Sequence, residues 1–352
     1  MTHRALRWLP AVIAPVVVAG AVALPLAATA STDLPEKSAA QVLALVAHAR
    51  SLPGYTGQIS QSSDLGLPQL PSTGAGSGSQ TASTLNLLTG SHRASIEVDG
   101  TSRSRIAVQD SMGERDAVRN GDTVWLWDSA KNAAKQVTVS GSGTGTAPGD
   151  TATMTPQSAA DEAIARITPS TDVTVDTTTS VAGHAAYTLV LTPKASDTTV
   201  GSVRIAVDGT TGLPLRVQLF AQGAGSPAFE VAFSQLDYTV PAASRFDFTA
   251  PSGAKVEQHT VTPGAQRPST GAQPAAKPTV TGSGWDAVVT VPAADVPASL
   301  AGNATFTRLT TDAGNGARAL STSLVNVLRT SDGRVLAGAV PLSRLQALAA
   351  QG

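Results

Sequence analysis

Trp125 and Trp127 stand two residues apart in GDTVWLWDS (Gly121–Ser129), in a chain whose aromatic content is only 4%. In an extended strand such a pair points to one face. Side by side, two indoles offer a broad apolar surface, suited either to packed core or to the wall of a site for an apolar ligand. The two roles are compatible, because a cavity wall is also core. A sheet curved around a cavity turns its bulkiest apolar groups inward, and exposing both indoles would leave a large greasy patch on a soluble protein. Both are therefore expected to face inward.

Reactive chemistry finds little support. The five histidines (His3, His48, His92, His184 and His259) are scattered, with no H-x-x-x-H or H-E-x-x-H spacing. No G-x-S-x-G elbow occurs, and the glycine-rich segments lack the lysine and strand-to-helix setting of a phosphate cradle. DAGNG (Asp312–Gly316) carries too few oxygen ligands for calcium and reads as a turn. The absence of cysteine excludes disulfides, thiolate metal sites and a lipid-modified N-terminal cysteine. No catalytic set, metal or cofactor is expected. A net charge of −1, with no run of five basic residues, argues against a nucleic-acid partner.

The elements around the indoles point to export and to a large sheet. Arg4 and Arg7 precede an apolar stretch, Trp8–Ala30, that ends in Ala28-Thr29-Ala30. This is a signal peptide with cleavage expected before Ser31, although its length would also serve as a retained anchor. PEKSAAQVLALVAHARSL (Pro35–Leu52) has helical apolar spacing, and Ser72–Ser83 reads as a flexible Gly/Ser loop. From about Leu85 to Val256 strict alternation marks antiparallel strands with one buried and one wet face. The buried set comprises Tyr187, Leu189 and Leu191; Val203, Ile205 and Val207; Leu215, Val217 and Leu219; and Phe229, Val231 and Phe233. DGTTG (Asp208–Gly212) has hairpin-turn chemistry. One helix, TPQSAADEAIARI with Thr155 as N-cap, follows a Gly/Ser/Thr tether (Ser140–Thr153) and would cover the greasy face.

NGDTVWLWDSAKNAAKQV (Asn120–Val137), YTLVLTPKAS (Tyr187–Ser196) and FDFTAPSGAKV (Phe246–Val256) resemble, in the same order, the LolA family of periplasmic lipoprotein carriers. The resemblance covers roughly Asp33 to Gln258. It implies a mainly β (α+β) fold, a curved antiparallel sheet forming an incomplete barrel whose helical lid encloses a cavity for acyl chains. RseB-type stress regulators share that fold and add a smaller C-terminal domain. An arginine–proline pair on an early strand latches the lid in the carriers. The matching region here, GTSRSRIAVQD, has no such pair, and Arg103 falls on the wet face, so that role is not carried over.

The expected layout is a signal segment (1–30), a LolA-like domain (33–257), a Pro/Gly/Ser/Thr-rich linker (258–282) and a small C-terminal domain (283–352). In the last, WDAVVTVP would put Trp285, Ala287, Val289 and Val291 on one strand face. STSLVNVLRTSDGRVLAGAV reads as an apolar segment, strand or helix in its first half, then a turn and a strand. LSRLQALAAQ reads as a terminal helix. About seventy residues give a marginal core, which docking on the barrel would support. Two functions follow: an extracytoplasmic carrier sheltering the acyl chain of a lipid or lipoprotein, or an RseB-like sensor gripping a membrane protein. The cavity wall would be Trp125, Trp127 and the twelve alternating residues above.

Overall fold

Alternation along the chain resolves into twelve strands: β1 (Gly54–Ser63), β2 (Gly90–Asp99), β3 (Arg103–Asp110), β4 (Gly113–Asn120), β5 (Thr123–Asp128), β6 (Ala133–Val139), β7 (Thr171–Val181), β8 (His184–Pro193), β9 (Val200–Asp208), β10 (Pro214–Ala221), β11 (Phe229–Asp237) and β12 (Lys255–Val261). The computed structural model describes residues 34–49, 51–66, 90–110, 113–139, 156, 160, 170–261, 278–296 and 309–351. The expected signal segment, the Gly/Ser loop, the tether and all but Pro156 and Ala160 of the tethered helix lie outside the described residues.

The strands join in the order β12-β6-β5-β4-β3-β2-β1-β11-β10-β9-β8-β7. This is the expected mainly β fold: a large curved antiparallel sheet left open, with β12 and β7 as its edges. One pairing departs from the antiparallel expectation. β12 runs parallel to β6, and it continues to Val261, four residues into the stretch read as linker. Ile205 and Val203 on β9 oppose Val217 and Leu219 on β10, which in turn oppose Val231 and Phe229 on β11. At the β1–β11 pairing, Gln58 opposes Gln235 while Ile59 opposes Phe233, so Ser234 is the extra residue of a bulge. The bulge resets parity, and Phe233 and Leu236, three apart, both pack with the core.

Helix α1 (Ala39–Ala49) lies over this packed face with Val42, Val46 and Ala49 buried. It starts with a capping box: the Ser38 hydroxyl accepts the Gln41 amide at 3.3 Å, and the Gln41 side chain accepts the Ser38 amide at 2.8 Å. The Tyr187 hydroxyl donates to the Pro35 carbonyl at 2.6 Å and holds the chain entering α1. On the far side, α1 meets the β9–β10 turn. Asp208 accepts the Thr210 and Thr211 amides at 2.8 Å each, and Gly212 takes φ +76°. A Cβ on Gly212 would sit 2.1 Å from the Leu45 carbonyl oxygen, so both the turn and the helix contact demand glycine.

The chain's last part forms a second sheet from β13 (Thr279–Thr281), β14 (Val288–Val291), β15 (Thr311–Asp312), β16 (Arg318–Ser321), β17 (Asn326–Arg329) and β18 (Val335–Gly338), followed by α2 (Leu342–Ala349). The apolar segment left open between strand and helix is strand. Trp285 does not belong to β14: it sits in a 3₁₀ turn and donates from Nε1 to the Thr171 hydroxyl at 2.7 Å. This sheet is bolted to the large one. Ala339 O accepts the Thr199 amide at 2.9 Å and the Thr198 hydroxyl at 2.8 Å. The Ser323 amide donates to Leu65 O at 3.0 Å, and Leu324 is buried in the main core.

Gly100 also has positive φ (+58°) but open space around it, so the two glycines separate backbone strain from steric exclusion. Gly100→Ala should cost about 1–2 kcal/mol, the left-handed penalty alone. Gly212→Ala should lose several kcal/mol more by urea unfolding; equal losses would show that α1 is free to move away from the turn.

Candidate functional site

Register fixes which side chains share a face. Following the ladder from β1 outward, Gly57, Ile96, Ile106, Ala117, Leu126 and Lys135 align in one row. The neighbouring row on the same face is Ile59, Ala94, Val108, Arg115, Asp128 and Ala133. In the other direction Ile59 leads through Phe233 to Val231, Val217, Ile205 and Leu189. This is the core face, and all twelve alternating residues of β8–β11 lie on it. None is more than 6% exposed, and they pack against one another, α1, Ala160 and Leu324.

Trp125 and Trp127 lie on the opposite face, which corrects the expectation that they point inward. Trp125 pairs with Val118, which pairs with Arg105; Trp127 pairs with Asp116, which pairs with Ala107. Both indoles are half-buried beneath Phe248, with ring centroids 5.3 and 6.3 Å away. Phe248 belongs to the segment that leaves β11 and crosses the outer face to reach β12. Along that strap Arg245 pairs with Glu97, Phe246 is buried near β3 and β4, Asp247 accepts from Asn120 at 3.1 Å, and Gly253 O accepts from Asn132 at 3.0 Å. The strap supplies the cover that an exposed indole pair would lack, so alternation alone assigned the wrong face. The tryptophans anchor it.

The core face is unevenly used. On the β3–β6 half, Ile106, Ala117, Val124, Leu126 and Val137 are half-buried, while their counterparts on β8–β11 are sealed. The same half carries Arg115, Arg119 and Lys135 at core-face positions. Arg119 Nε donates to Gly121 O at 3.1 Å, Asp128 pairs with Lys131, and Lys135 is exposed. An apolar stripe with cations beside it is the part of the sheet able to receive an amphiphile. Sequence reading missed it because GERDAVRN (β4) mixes charge onto both faces and hides the period of two.

Two other clusters are structural. His184 Nδ1 lies 3.6 Å from Asp208, its Nε2 is 3.4 Å from Leu236 O, and its ring meets Tyr238 edge-on at 5.2 Å. The Tyr238 hydroxyl donates to Asp208 at 2.9 Å, and burial pushes its pKa well above the usual range. These bonds pin the β9–β10 turn. Burial similarly pushes the Tyr55 pKa up to about 12. A cleft of about 220 Å³ at the bulge is lined by Thr56, Gln58, Ser95, Glu97, Gln235 and Asp237. Its carboxylates already have partners, Arg245 for Glu97 and Thr239 for Asp237. Among the described residues no three His, Asp or Glu side chains converge as a metal site, and no helix is long and apolar enough to cross a membrane.

No family model and no curated protein matches the chain. Solved structures do. The MucA/MucB complex of Pseudomonas aeruginosa is 17% identical, covering 88% of this chain and 96% of that one, with a TM-score of 0.46. A LolA superfamily protein from Nitrosomonas europaea is 12% identical over 60% of this chain and 99% of its own, with a TM-score of 0.26. A lipoprotein-sorting protein domain from Vibrio parahaemolyticus, described as putative, is 10% identical over 59% and 97%, with a TM-score of 0.24.

Under the strap, Asp116 is buried and pairs with Arg105 through Oδ2, while its Oδ1 has no hydrogen-bond partner. Glu114, two residues away on the same face, has its pKa raised by burial and then by the Asp116 charge. A proton on Glu114 gives Oδ1 its missing donor. A raised folded pKa means that the folded state binds this proton more tightly than the unfolded one. The stabilisation is full below the ordinary carboxylate value and is lost as pH rises through the folded value. Glu114→Gln should therefore flatten the pH dependence of the urea midpoint on the acid side of neutrality; an unchanged slope would remove the proton from this pair.

Proposed function

We propose that the protein is an exported binding protein that shelters an acyl chain of a lipid or lipoprotein on the β3–β6 half of its core face. The observation that carries this reading is the half-open apolar stripe through Ile106, Ala117, Leu126 and Val137, continuous with a core face that is otherwise sealed. Burying about 25 cal/mol per Å² of apolar surface favours a hydrocarbon occupant over water there. The twelve β8–β11 residues take part as the rigid wall behind the site, and the tryptophans hold the outer face in shape. The docked C-terminal sheet favours a second reading: a sensor whose occupancy alters its grip on a membrane protein. Pulldown from membranes separates the two, acylated cargo marking a carrier and a single-span signalling protein a sensor.

Titration of a fluorescent fatty acid into the mature protein is the direct test. Leu126→Gln should weaken binding about tenfold or more with the unfolding midpoint little changed, since the position is already partly wet. Trp125→Leu and Trp127→Leu should leave affinity unchanged and lower stability by roughly 1–3 kcal/mol through looser strap packing. The opposite pattern, with loss in the tryptophan variants and none in Leu126→Gln, would move the site to the outer face.

A further inference from the structure

We infer that the amphiphile held on the β3–β6 face is anionic, a phospholipid whose charged headgroup rests between Arg119 and Lys135. This rests on the acyl-binding reading and goes beyond it by assigning the headgroup. Arg119 on β4 pairs with Val124 on β5, which pairs with Val137 on β6; Leu126 on β5 pairs with Lys135 on β6. All five therefore share the core face; Arg119 and Lys135 stand two strands and two residues apart, roughly 12 Å between backbones. The hydrocarbon stripe and the two cations are neighbours on one surface. A neutral carrier would gain nothing from cations there.

The charge balance of this corner supports the assignment. Asp128 is engaged by Lys131, and Glu257, which β12 brings beside Lys135, is engaged by Lys255 at 3.2 Å. Lys255 first, then His259 and Lys135, hold the Glu257 pKa below the usual carboxylate range. Lys135 is exposed, and half-buried Arg119 donates from Nε to Gly121 O. Cations exceed anions, and an incoming phosphate complements them.

Isothermal titration with two lysophospholipids of the same acyl length, lysophosphatidylglycerol and lysophosphatidylcholine, both below their micelle concentrations, reads the inference directly. Each cation near an anionic headgroup contributes about fivefold, so the anionic lipid should bind on the order of tenfold or more tightly, with the preference shrinking as salt rises. Arg119→Gln with Lys135→Gln should bring the anionic lipid down to the level of the zwitterionic one and leave the latter unchanged. Lys194→Gln, on the distant β8 end, controls for net charge and should change neither. Equal binding of both lipids by the wild type overturns the headgroup assignment while leaving the acyl site standing. Binding of neither lipid overturns the acyl site and the headgroup with it. A preference that survives the double variant also overturns the assignment, since the discriminating charge then lies elsewhere.

Discussion

Strand parity governs this molecule. In a sheet with side chains alternating at a period of two, every residue belongs to one face, and the ladder carries that membership across all twelve strands. A one-residue slip of β1 against β11 would turn Ile59 away from the face that Phe233 and Val231 share. The bulge at Ser234 is the correction that keeps the long sheet in phase, by letting Phe233 and Leu236 both reach the core. Everything else follows from which face is covered by what: α1 and the C-terminal sheet on one half of the core face, and the strap on the outer face.

The strap explains why β12 exists. Leaving β11 in the middle of the sheet, the chain must cross the outer face of β1 to β6 to arrive beside β6, and a crossing strand of this kind arrives parallel. Backbone hydrogen bonds alone hold β12 weakly, since every residue but Val261 is exposed. The crossing segment supplies the missing energy: Phe246 is buried, Phe248 packs on both indoles, and Arg245 grips Glu97. Aromatic contacts of this kind add about 0.5–1.5 kcal/mol each beyond their buried area. Two tryptophans on one surface are thus the floor of a long-range connection.

Much of the fold was legible in the sequence, and the reasons are local. Alternation in AYTLVLT, SVRIAVD, LRVQLF and FEVAF is uninterrupted, so four strands and their buried face could be read directly. Helical spacing of apolar residues over Pro35–Leu52 marked α1, and DGTTG marked the turn that packs on it. What alternation lacks is a sign: it separates Trp125 and Trp127 from Val124 and Leu126 but does not say which pair faces the core. That choice depended on Phe248, more than a hundred residues away, whose own motif was quoted for its resemblance and not for its contacts. β4 and β12 were hidden for the opposite reason. β4 carries charge on both faces, and β12 carries Lys255, Glu257 and His259 on one face with Gln258 and Thr260 on the other, as a half-open face and an edge strand allow and a sealed core forbids.

That last point bears on the site. Arg119 and Lys135 at core-face positions set a limit on how this half can be filled. Burying an unpaired cation costs several kcal/mol even after relaxation, far more than an apolar lid on the same area returns. The β8–β11 half bears Leu, Val, Ile, Tyr and Phe at the equivalent positions and is sealed. A sequence that needed only stability would have continued that pattern across β3 to β6. Placing cations there gives up dry packing on half of one face: the β8–β11 half is rigid core, and the β3–β6 half stays partly open.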